Sequence, residues 1–449
     1  MRTRLFLTFA LLAAPSVALA ADDAWPGFRG PTANGIATGK NVPTQWSEKG
    51  DKQENIRWKT AIHGKGWSSP VVLGDQVWLT TADEVLDPNP VPKKGGPPAN
   101  AVKEASYFAV CVDRKTGKVV HDIKLRVEEN PAYCYPFNSY ATPTPCLEPG
   151  RLYASFGRHG TFCVDTASGK TLWERLDLKC DHFRGAGSSP ALYGDLLYLI
   201  FDGADVQFVT ALDKKTGKTV WKTDRNIKYG PGPADGDHKK AYATPALFTI
   251  GGKDYLVCPS AESTMAYDPK TGEELWRFTH GGMNGSARPV MDAGLLYLNS
   301  GHSAKLFALK PDGLNGAVPK SAVVWESGKD VKNVCVRPSP LVANGLVFMV
   351  SDSGFATCLD AKTGKLLWNE RLDGEFSASP VLAGGNVYFC NQSGKTFVVK
   401  AAGEYALVSE NRLTDGSALK PDGFMASPAI AGDELFFRTR TALYSIGKK

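Results

Sequence analysis

The sequence predicts an all-β fold, an eight-bladed β-propeller of four-stranded antiparallel blades, on three observations. A nine-residue pattern from an Asp to a Trp recurs, as DTASGKTLW from Asp165, DKKTGKTVW from Asp213, DPKTGEELW from Asp268 and DAKTGKLLW from Asp360. A small or hydroxylated residue followed by Pro opens a series of similar apolar segments, and a lone strand-like segment precedes the first of them. Repeats spaced in this way are typical of propellers and solenoids.

The proline-led segments give the number of blades. Each continues as an apolar run, a Gly-containing turn and a second apolar run, as in SSPALYGDLLYLI from Ser188. Alternating runs joined by such turns predict hairpins, and the Asp-to-Trp pattern then supplies the turn into a fourth strand. Four short strands per repeat make one propeller blade. The markers are Pro70, Pro143, Pro190, Pro245, Pro289, Pro340, Pro380 and Pro428.

The Asp-to-Trp pattern predicts a clamp between blades. The Asp carboxylate accepts hydrogen bonds inside the turn, and the Gly supplies a positive φ. The Trp ring fills the wedge between two blades while its N–H finds a backbone carbonyl. Worn copies have His121 in the Trp slot, an inserted loop before Trp325, and neither Asp nor Trp in the seventh unit. We expect the clamp residues to be Trp58, Asp165, Trp173, Asp213, Trp221, Asp268, Trp276, Trp325, Asp360 and Trp368.

The ends of the sequence predict how the ring closes. The eighth unit ends at Ile446 without a Trp, whereas residues 55–60 read as an outer strand that has no blade of its own. An N-terminal strand that completes the last blade would hide two sheet edges. We therefore divide the sequence into a signal peptide at residues 1–20, an N-terminal packing segment at 22–54 and a single propeller at 55–449.

The first residues predict export. Two arginines precede an apolar run that ends in the small-residue site ALA at residues 18–20, as in a cleaved secretory signal. Ala21 rather than Cys follows, so we expect no lipid anchor, and no other apolar run is long enough to cross a membrane. Cleavage lowers the formal charge from +6 to +4, with 50 basic against 46 acidic side chains, which gives little support to a nucleic-acid partner. We expect a soluble, non-lipidated, periplasmic or extracellular monomer.

The nine cysteines do not predict a disulfide framework. Most of them stand in strand-like segments, where a thiol behaves as a small buried hydrophobe. Cys134, Cys146 and Cys180 fall in irregular stretches, so a disulfide among these three stays open. No CxxC motif occurs, and the sequence therefore gives no support to a structural zinc site.

The repeat resembles a known superfamily. ALDKKTGKTVW from Ala211 and CLDAKTGKLLW from Cys358 are similar to the tryptophan-docking motif of the PQQ-like repeat proteins, and the lead segment WPGFRGPTANGIA from Trp25 is similar to the start of exported bacterial members. This superfamily includes quinoprotein alcohol dehydrogenases and the outer-membrane assembly subunit BamB. The resemblance implies the propeller, whereas a shared fold does not decide between a dehydrogenase and a scaffold.

The sequence departs from both relatives. Many of the dehydrogenases stack the quinone against a disulfide between adjacent cysteines, and no Cys-Cys pair occurs here. The dehydrogenases are also usually longer. BamB is closer in length and repeat density, but it is lipidated, and this sequence lacks the Cys that lipidation needs.

Ligands of propellers usually bind where loops converge around the axis. In this repeat those loops precede each proline marker or join the second and third strands of a blade, and they combine both charges with aromatic residues. Such loops suit a polar ligand or a peptide, although ordinary turn chemistry also accounts for Asp202 and Asp205. We expect no catalytic residue and no metal ligand. The candidate ligand- or partner-binding residues are Arg158, His159, Arg184, Asp202, Asp205, Glu262, Arg288, His302, Lys305 and Arg337.

Two functions from different classes follow. The first is a non-enzymatic scaffold that binds an envelope protein or a polysaccharide and needs no cofactor. The alternative, which the resemblance implies, is a PQQ-dependent periplasmic dehydrogenase of alcohols or sugars, with PQQ in the channel and an Asp base near a calcium ion. A sugar-cleaving site that uses His and Arg in the channel is a third option.

Overall fold

The computed structural model describes residues 23–48, 54–90, 101–331, 333–414 and 423–448, so the predicted signal peptide lies outside the described residues. The described chain forms eight sheets, each with four antiparallel strands, and one of them has a fifth strand that pairs in parallel. This arrangement confirms the predicted eight-bladed propeller. Its described helices are short 3-10 turns, and none of them could cross a membrane. They are Gly157–His159, Asp237–Lys239, Gly301–Ser303 and Lys320–Ala322.

The first four blades follow one another along the chain. Blade 1 contains β2 (Val71–Leu73), β3 (Gln76–Leu86), β4 (Val102–Asp113) and β5 (Val119–Glu129). Blade 2 contains β6 (Cys146–Glu148), β7 (Arg151–Ser155), β8 (Thr161–Asp165) and β9 (Thr171–Arg175). Blade 3 contains β10 (Ala191–Tyr193), β11 (Leu196–Asp202), β12 (Gln207–Asp213) and β13 (Thr219–Asp224). Blade 4 contains β14 (Ala246–Ile250), β15 (Lys253–Pro259), β16 (Ser263–Tyr267) and β17 (Glu274–Thr279).

The remaining blades complete the ring. Blade 5 contains β18 (Val290–Asp292), β19 (Leu295–Asn299), β20 (Leu306–Leu309) and β22 (Val323–Glu326), and its inserted loop carries β21 (Gly316–Ala317). Blade 6 contains β23 (Leu341–Ala343), β24 (Leu346–Val350), β25 (Phe355–Asp360) and β26 (Leu366–Arg371). Blade 7 contains β27 (Val381–Ala383), β28 (Asn386–Cys390), β29 (Lys395–Lys400) and β30 (Leu407–Arg412). Blade 8 contains β31 (Ala429–Ala431), β32 (Glu434–Arg438), β33 (Ala442–Ile446) and β1 (Ile56–Ala61).

The ring closes as the sequence predicts. Strand β1 pairs antiparallel with β33, from Ile56 opposite Ile446 to Ala61 opposite Ala442. The first strand of the propeller is therefore the outer strand of the last blade, and the pairing covers an edge that would otherwise be exposed.

The inner strand of each blade begins directly after a proline. In blade 2 this proline is Pro145, because β6 begins at Cys146, so the marker Pro143 is wrong by two residues. The segment TPTP offers two prolines that fit the pattern equally well. The positions before these prolines form a ring around the axis.

The Asp-to-Trp segments join neighbouring blades. Asp213 Oδ1 accepts hydrogen bonds from the N–H and the hydroxyl of Thr216, both at 2.8 Å. Gly217 follows with a φ of 69°, and a Cβ on it would lie 2.7 Å from the Trp173 ring of the preceding blade. That indole donates from Nε1 to the Lys214 carbonyl at 3.0 Å. Glycine is thus required for both the turn and the close approach of the indole.

The same Nε1-to-carbonyl hydrogen bond recurs at several joints. Its donor and acceptor pairs are Trp58 and Arg114, Trp221 and Pro269, Trp325 and Ala361, and Trp368 and Ala402. Trp276 differs, because its Nε1 is buried without a partner. The next blade has the inserted loop in place of the glycine turn, and β21 pairs in parallel with β17 beside that indole.

The described part of the N-terminal segment runs along the ring rather than forming its own domain. Trp25 forms a bridge with Val72 of blade 1, and Ile36 forms one with Leu382 of blade 7. Between these two points the chain passes over the axis, and this path places Phe28 and Arg29 inside the channel.

Candidate functional site

A cavity of about 630 Å³ lies on the axis, on the face where the inner strands begin. Its volume is in the range of small-molecule sites. It is lined by the loops before the proline markers and by two of the loops between second and third strands, which contribute His302 and Asp352. Phe28 from the N-terminal segment also lines it.

A ring of hydroxyl groups surrounds the cavity. The residue before each inner-strand proline is Ser or Thr in every blade except blade 5. In five of these blades its hydroxyl oxygen accepts a hydrogen bond from the backbone N–H of the hydroxyl residue in the preceding blade. These bonds, 2.9 to 3.1 Å long, join Ser69 to Thr144, Thr144 to Ser189, Ser189 to Thr244, Ser339 to Ser379 and Ser379 to Ser427.

Arg288 takes the place of the hydroxyl in blade 5. Its N–H still donates to Ser339 Oγ at 2.9 Å, but its side chain extends into the channel, where Nη1 donates to the Phe28 carbonyl at 2.8 Å. Burial raises the pKa of Cys146 in blade 2, and the positive charge of Arg288 opposes this rise. Because the N-terminal segment crosses the axis at Phe28, the hydrogen bond to the Phe28 carbonyl places the Arg288 guanidinium near the axis.

Arg29 lies beside Arg288 in the same layer. Its Nη2 donates to the carbonyls of Asn34 and Pro340, and its Nη1 donates to that of Pro380. Burial and the neighbouring Arg288 charge lower the pKa of Arg29 to about 9, and burial lowers that of Arg288 to about 10. Both guanidiniums remain charged at neutral pH. Of these residues Phe28 lines the cavity itself. We call Phe28, together with Arg29 next to it in the chain and Arg288 hydrogen-bonded to it, the floor of the cavity.

Two arginine–aspartate pairs border the other end, which we call the mouth. Arg184 Nε lies 3.3 Å from Asp237 Oδ1, and Arg337 Nε lies 2.7 Å from Asp352 Oδ2. The fully buried Lys240 also forms an ion pair with Asp237. Although burial opposes it, the hydrogen bond and charge of Lys240 hold the pKa of Asp237 below its usual range.

One loop connects the two pairs across the mouth. The Arg184 guanidinium lies 5.3 Å from the Tyr135 ring and that of Arg337 lies 4.6 Å from the Phe137 ring. Both aromatic residues belong to the loop between blades 1 and 2, and Trp67 Nε1 donates to the Phe137 carbonyl at 3.1 Å. Aromatic faces and charged groups therefore alternate around the entrance.

Two polar groups of the cavity wall have no protein partner. The Tyr242 hydroxyl and the Asn284 side-chain oxygen are buried, and neither makes a hydrogen bond with the described residues. Both residues line the cavity. Buried polar groups are almost always paired, so these two groups beside the cavity are unsatisfied among the described residues.

The structure brings four of the ten candidate residues to this site. Arg184, His302 and Arg337 line the cavity, and Arg288 lies in its floor. The other six lie elsewhere in the propeller.

Two of those six are buried. The 3-10 turn Gly157–His159 directs His159 toward blade 1, where Nδ1 lies 2.7 Å from Glu128 Oε2 and the ring stacks on Tyr107. Asp202 is fully buried and pairs with Arg225 at 2.6 Å. Burial alone would lower the pKa of Arg225, but the Asp202 carboxylate raises it above its usual range.

The other four serve local contacts. Arg158 lies 3.9 Å from Asp181. Asp205 accepts hydrogen bonds from the N–H groups of Asp181 and Val206. Glu262 occupies a turn with a φ of 64°, and Lys305 pairs with Glu326 at 3.0 Å.

Sequence reasoning missed the partners that complete the site. Asp352 lies in the loop SDSGF, between the second and third strands of blade 6, and this position could have signalled it. Asp237 lies in a long loop before Pro245, where the repeat pattern gives no position. Phe28 and Arg29 reach the axis only through long-range packing, for which no local signal exists.

The described residues around the cavity do not fit the calcium ion of the PQQ alternative. Calcium needs six to eight oxygen ligands, several of them carboxylates. No group of three or more His, Cys, Asp and Glu residues that could hold a metal ion occurs among the described residues. The two carboxylates that line the cavity are each held by a basic side chain. All nine cysteines are free, including the three for which a disulfide stayed open.

Solved structures share the fold. The quinohemoprotein alcohol dehydrogenase from Comamonas testosteroni superposes with a TM-score of 0.61 at 12% identity, over 96% of this chain and 82% of that protein. BamB from Moraxella catarrhalis superposes with a TM-score of 0.52 at 12% identity, over 82% of this chain and 99% of that one. At such identities the likeness shows the fold alone.

Sequence relatives fall into different functional classes. The 1-butanol dehydrogenase (quinone) of Thauera butanivorans is 36% identical over 173 residues, which cover 34% of this chain and 23% of that enzyme. The tetrathionate hydrolase of Acidithiobacillus ferrooxidans is 22% identical over 359 residues, covering 76% of this chain and 66% of that enzyme. BamB of Moranella endobia is 23% identical over 193 residues, covering 40% of this chain and 46% of that protein. The chain thus spans about a quarter of the dehydrogenase and about half of BamB.

A family model supplies the assignment. Residues 101–226 and 260–414, together more than half of the chain, match the PQQ_2 family, described as outer membrane protein assembly factor BamB. With the eight repeated blades, this match establishes that the chain belongs to that family, within the PQQ-like repeat β-propeller superfamily.

Proposed function

We propose that this protein is a non-enzymatic binding protein of the cell envelope and that its axial cavity takes a hydroxyl-rich ligand, the end of a polysaccharide chain. The single observation that carries the proposal is the pair of unpartnered polar groups in the cavity wall, Tyr242 Oη and Asn284 Oδ1. A sugar hydroxyl both donates and accepts hydrogen bonds, so one such ligand can satisfy both groups.

The rest of the wall suits the same chemistry. A sugar ring presents C–H groups on its faces and hydroxyls around its edge. The rings of Trp67 and Phe137 offer apolar surface for the faces, and the hydroxyls of the ring around Ser189 and Thr244 face the same space. Polar groups placed on a largely apolar wall are typical of pockets that orient a small ligand.

The charged residues of the mouth support binding rather than catalysis. A general acid or base works best with a pKa near the working pH, whereas Lys240 keeps the pKa of Asp237 low. Asp352 is held by the Arg337 side chain, and it also accepts a hydrogen bond from the Arg337 backbone N–H at 3.0 Å. Both carboxylates hold the entrance in shape.

The test is the substitution Tyr242→Phe. It removes one hydroxyl and leaves the ring, so we expect the dissociation constant for an oligosaccharide to rise about fivefold to thirtyfold, as for the loss of one hydrogen bond of about 1–2 kcal/mol. The melting temperature should stay equal or rise, because the hydroxyl has no partner in the free protein. Isothermal titration with maltotriose and with a galacturonic acid trimer, alongside thermal unfolding, measures both effects.

Tyr229→Phe is the matched control. The Tyr229 hydroxyl donates to the Lys239 carbonyl at 3.3 Å, and Tyr229 is not among the residues that line the cavity. Its loss should leave saccharide affinity unchanged. Equal affinities of wild type and Tyr242→Phe, or no binding of either trimer, would reject the proposal.

An envelope protein is the second candidate ligand, and the family description favours it, since it names an assembly factor for outer membrane proteins. A protein segment could enter the same cavity. Crosslinking in envelope extracts, with a photoreactive residue introduced at Tyr135 on the mouth, distinguishes the two. A discrete protein adduct supports this candidate, and a glycan adduct supports the polysaccharide.

The quinone-dehydrogenase alternative receives support from the 1-butanol dehydrogenase relative, but the donor set does not fit its calcium ion. Purified protein mixed with PQQ and calcium, then assayed for dye reduction with alcohols and sugars, tests it directly. We expect no reduction above that of the protein-free mixture.

A further inference from the structure

The floor of the cavity contains two buried positive charges, and none of their hydrogen-bond partners among the described residues is a carboxylate. The groups that accept hydrogen bonds from the Arg29 and Arg288 side chains are all backbone carbonyls. Arg29 is 1% exposed and Arg288 is 8% exposed. Buried charges are usually paired with an opposite charge, so this arrangement is unusual and calls for an explanation.

Arg288 also has unused hydrogen-bonding capacity. A guanidinium carries five N–H donors, and only the bond from Nη1 to the Phe28 carbonyl is described for its side chain. Its Nε is buried without a partner. Phe28, which accepts that bond, lines the cavity, as does Ser286, two residues before Arg288. The Arg288 guanidinium is therefore one hydrogen bond away from the cavity wall at Phe28.

The repeat itself marks Arg288 as exceptional. In the other seven blades the position before the inner-strand proline carries a hydroxyl, and six of these hydroxyls accept a hydrogen bond from the preceding blade. In blade 5 the ring is interrupted, because the Thr244 N–H has no hydroxyl to meet there. Ring geometry alone therefore gives no reason for an arginine at this position.

The charges at the mouth do not cancel those of the floor. Among the described groups at both ends, Arg29, Arg184, Lys240, Arg288 and Arg337 are cationic, and Asp237 and Asp352 are anionic. This leaves a net charge of three positive units around the cavity. In a site with low-dielectric walls such an excess attracts an anion strongly.

We propose that the floor is an anion site and that the saccharide of the proposed function is acidic, with a carboxylate directed toward Arg288. That the ligand is a saccharide rests on the proposed function, and that it is acidic rests on the two arginines of the floor. Bidentate contact between a guanidinium and a carboxylate is the strongest pairing that these groups make. The mouth then holds the neutral part of the ligand, and the floor selects its charged end.

The experiment compares three probes by isothermal titration. They are the galacturonic acid trimer, its fully methyl-esterified form, which has the same skeleton without charge, and inorganic sulfate. We expect the acid to bind at least tenfold more tightly than the ester, its affinity to fall as sodium chloride rises, and sulfate to compete with it. Equal affinities of acid and ester, independent of salt, would overturn the inference.

Arg288→Ser assigns the preference to the floor. This variant installs the hydroxyl that seven other blades carry at the same position, so we expect it to fold, as circular dichroism and thermal unfolding will show. The ratio of acid to ester affinity should fall to threefold or less, while the ester binds as in wild type. Arg175→Gln removes the same charge far from the cavity, where Arg175 pairs with Asp177, and should keep the ratio. A ratio unchanged in Arg288→Ser would contradict the assignment.

The outcomes separate the inference from the proposed function. If ester and acid bind equally, the saccharide proposal stands and the anion site fails. If sulfate binds in an Arg288-dependent way and no trimer binds, the anion site stands and the saccharide proposal fails. Should Arg288→Ser not fold, the comparison of acid with ester in the wild-type protein still decides the anion inference.

Discussion

The two ends of the axial cavity treat arginine in opposite ways. At the mouth, Arg184 and Arg337 each face an aspartate. At the floor, Arg29 and Arg288 face backbone carbonyls. Paired charges at a partly exposed rim give shape and orientation with little net field. Unpaired charges in a buried layer give a positive field that an anionic ligand can neutralise. The comparison therefore indicates that the mouth orients the ligand and that the floor selects its charge.

Arg225 tests whether backbone carbonyls alone can stabilise a buried arginine at other places in this fold. This arginine is fully buried like Arg29, but its partners include the Asp202 carboxylate besides the carbonyls of Cys258 and Pro259. We expect Asp202→Asn to lower the free energy of unfolding by about 3–5 kcal/mol, since it leaves a buried charge uncompensated. Chemical denaturation measures this loss.

Asp195→Asn is the control for that substitution, because the Asp195 side chain is 76% exposed and lies 3.9 Å from Lys214. Its effect should stay within about 0.5 kcal/mol. If Asp202→Asn lowered the free energy of unfolding by less than about 1 kcal/mol, backbone carbonyls alone would be enough to stabilise a buried arginine in this fold. The two arginines of the floor would then not be unusual.

A second substitution makes the mouth resemble the floor. Asp352→Asn leaves Arg337 without its carboxylate at a site that is about one-third exposed. We expect the galacturonic acid trimer to bind about threefold to tenfold more tightly, because one more positive charge faces the cavity in a partly screened position. Isothermal titration at low salt measures it, and the ester should not change. Weaker binding of the galacturonic acid trimer would show that the Asp352 carboxylate itself contacts the ligand.

His63 shows the reverse arrangement, with two carboxylates for one cation. Nδ1 lies 2.8 Å from Asp83 and Nε2 lies 3.1 Å from Asp122, in the segment that follows the ring-closing strand β1. Although burial opposes it, hydrogen bonds to Asp83 and Asp122 raise the pKa of His63. A raised pKa stabilises the folded protein below the pKa of the unfolded chain, and this contribution disappears as pH rises through the folded value.

We therefore expect the stability difference between wild type and His63→Gln to be larger at pH 5 than at pH 8. The change should be only about 0.5 kcal/mol, because the side chains are one-third to one-half exposed and solvent screens the pairs. Urea denaturation at the two pH values measures it. The same difference at both values, or a larger one at pH 8, would contradict the assignment.

The sequence predicted the architecture well because its signals are local. The Asp, the Gly and the Trp of each copy act within one turn and its neighbouring blade, as Gly217 and Trp173 illustrate. The marker Pro143 failed because two prolines stand two residues apart, and only strand pairing selects Pro145. Trp276 could not be anticipated either, since its missing partner depends on an insertion in the next blade.

The site was less accessible to sequence reasoning. Loop position indicated Arg184, His302 and Arg337, but a loop residue can turn away from the axis, as His159 does through its 3-10 turn. Arg288 stood out as the one position where a hydroxyl was replaced. Its partner Phe28 lies 260 residues away in the sequence. No periodicity connects them, because the contact arises only when the N-terminal segment crosses the closed ring.

The most direct measurement is a crystal structure of the protein with the galacturonic acid trimer. The account predicts the trimer in the axial cavity, one carboxylate within hydrogen-bond distance of Arg288, and a sugar hydroxyl on the Tyr242 oxygen. A trimer bound on the outer surface, or one in the cavity with its carboxylates turned away from the floor, would contradict it.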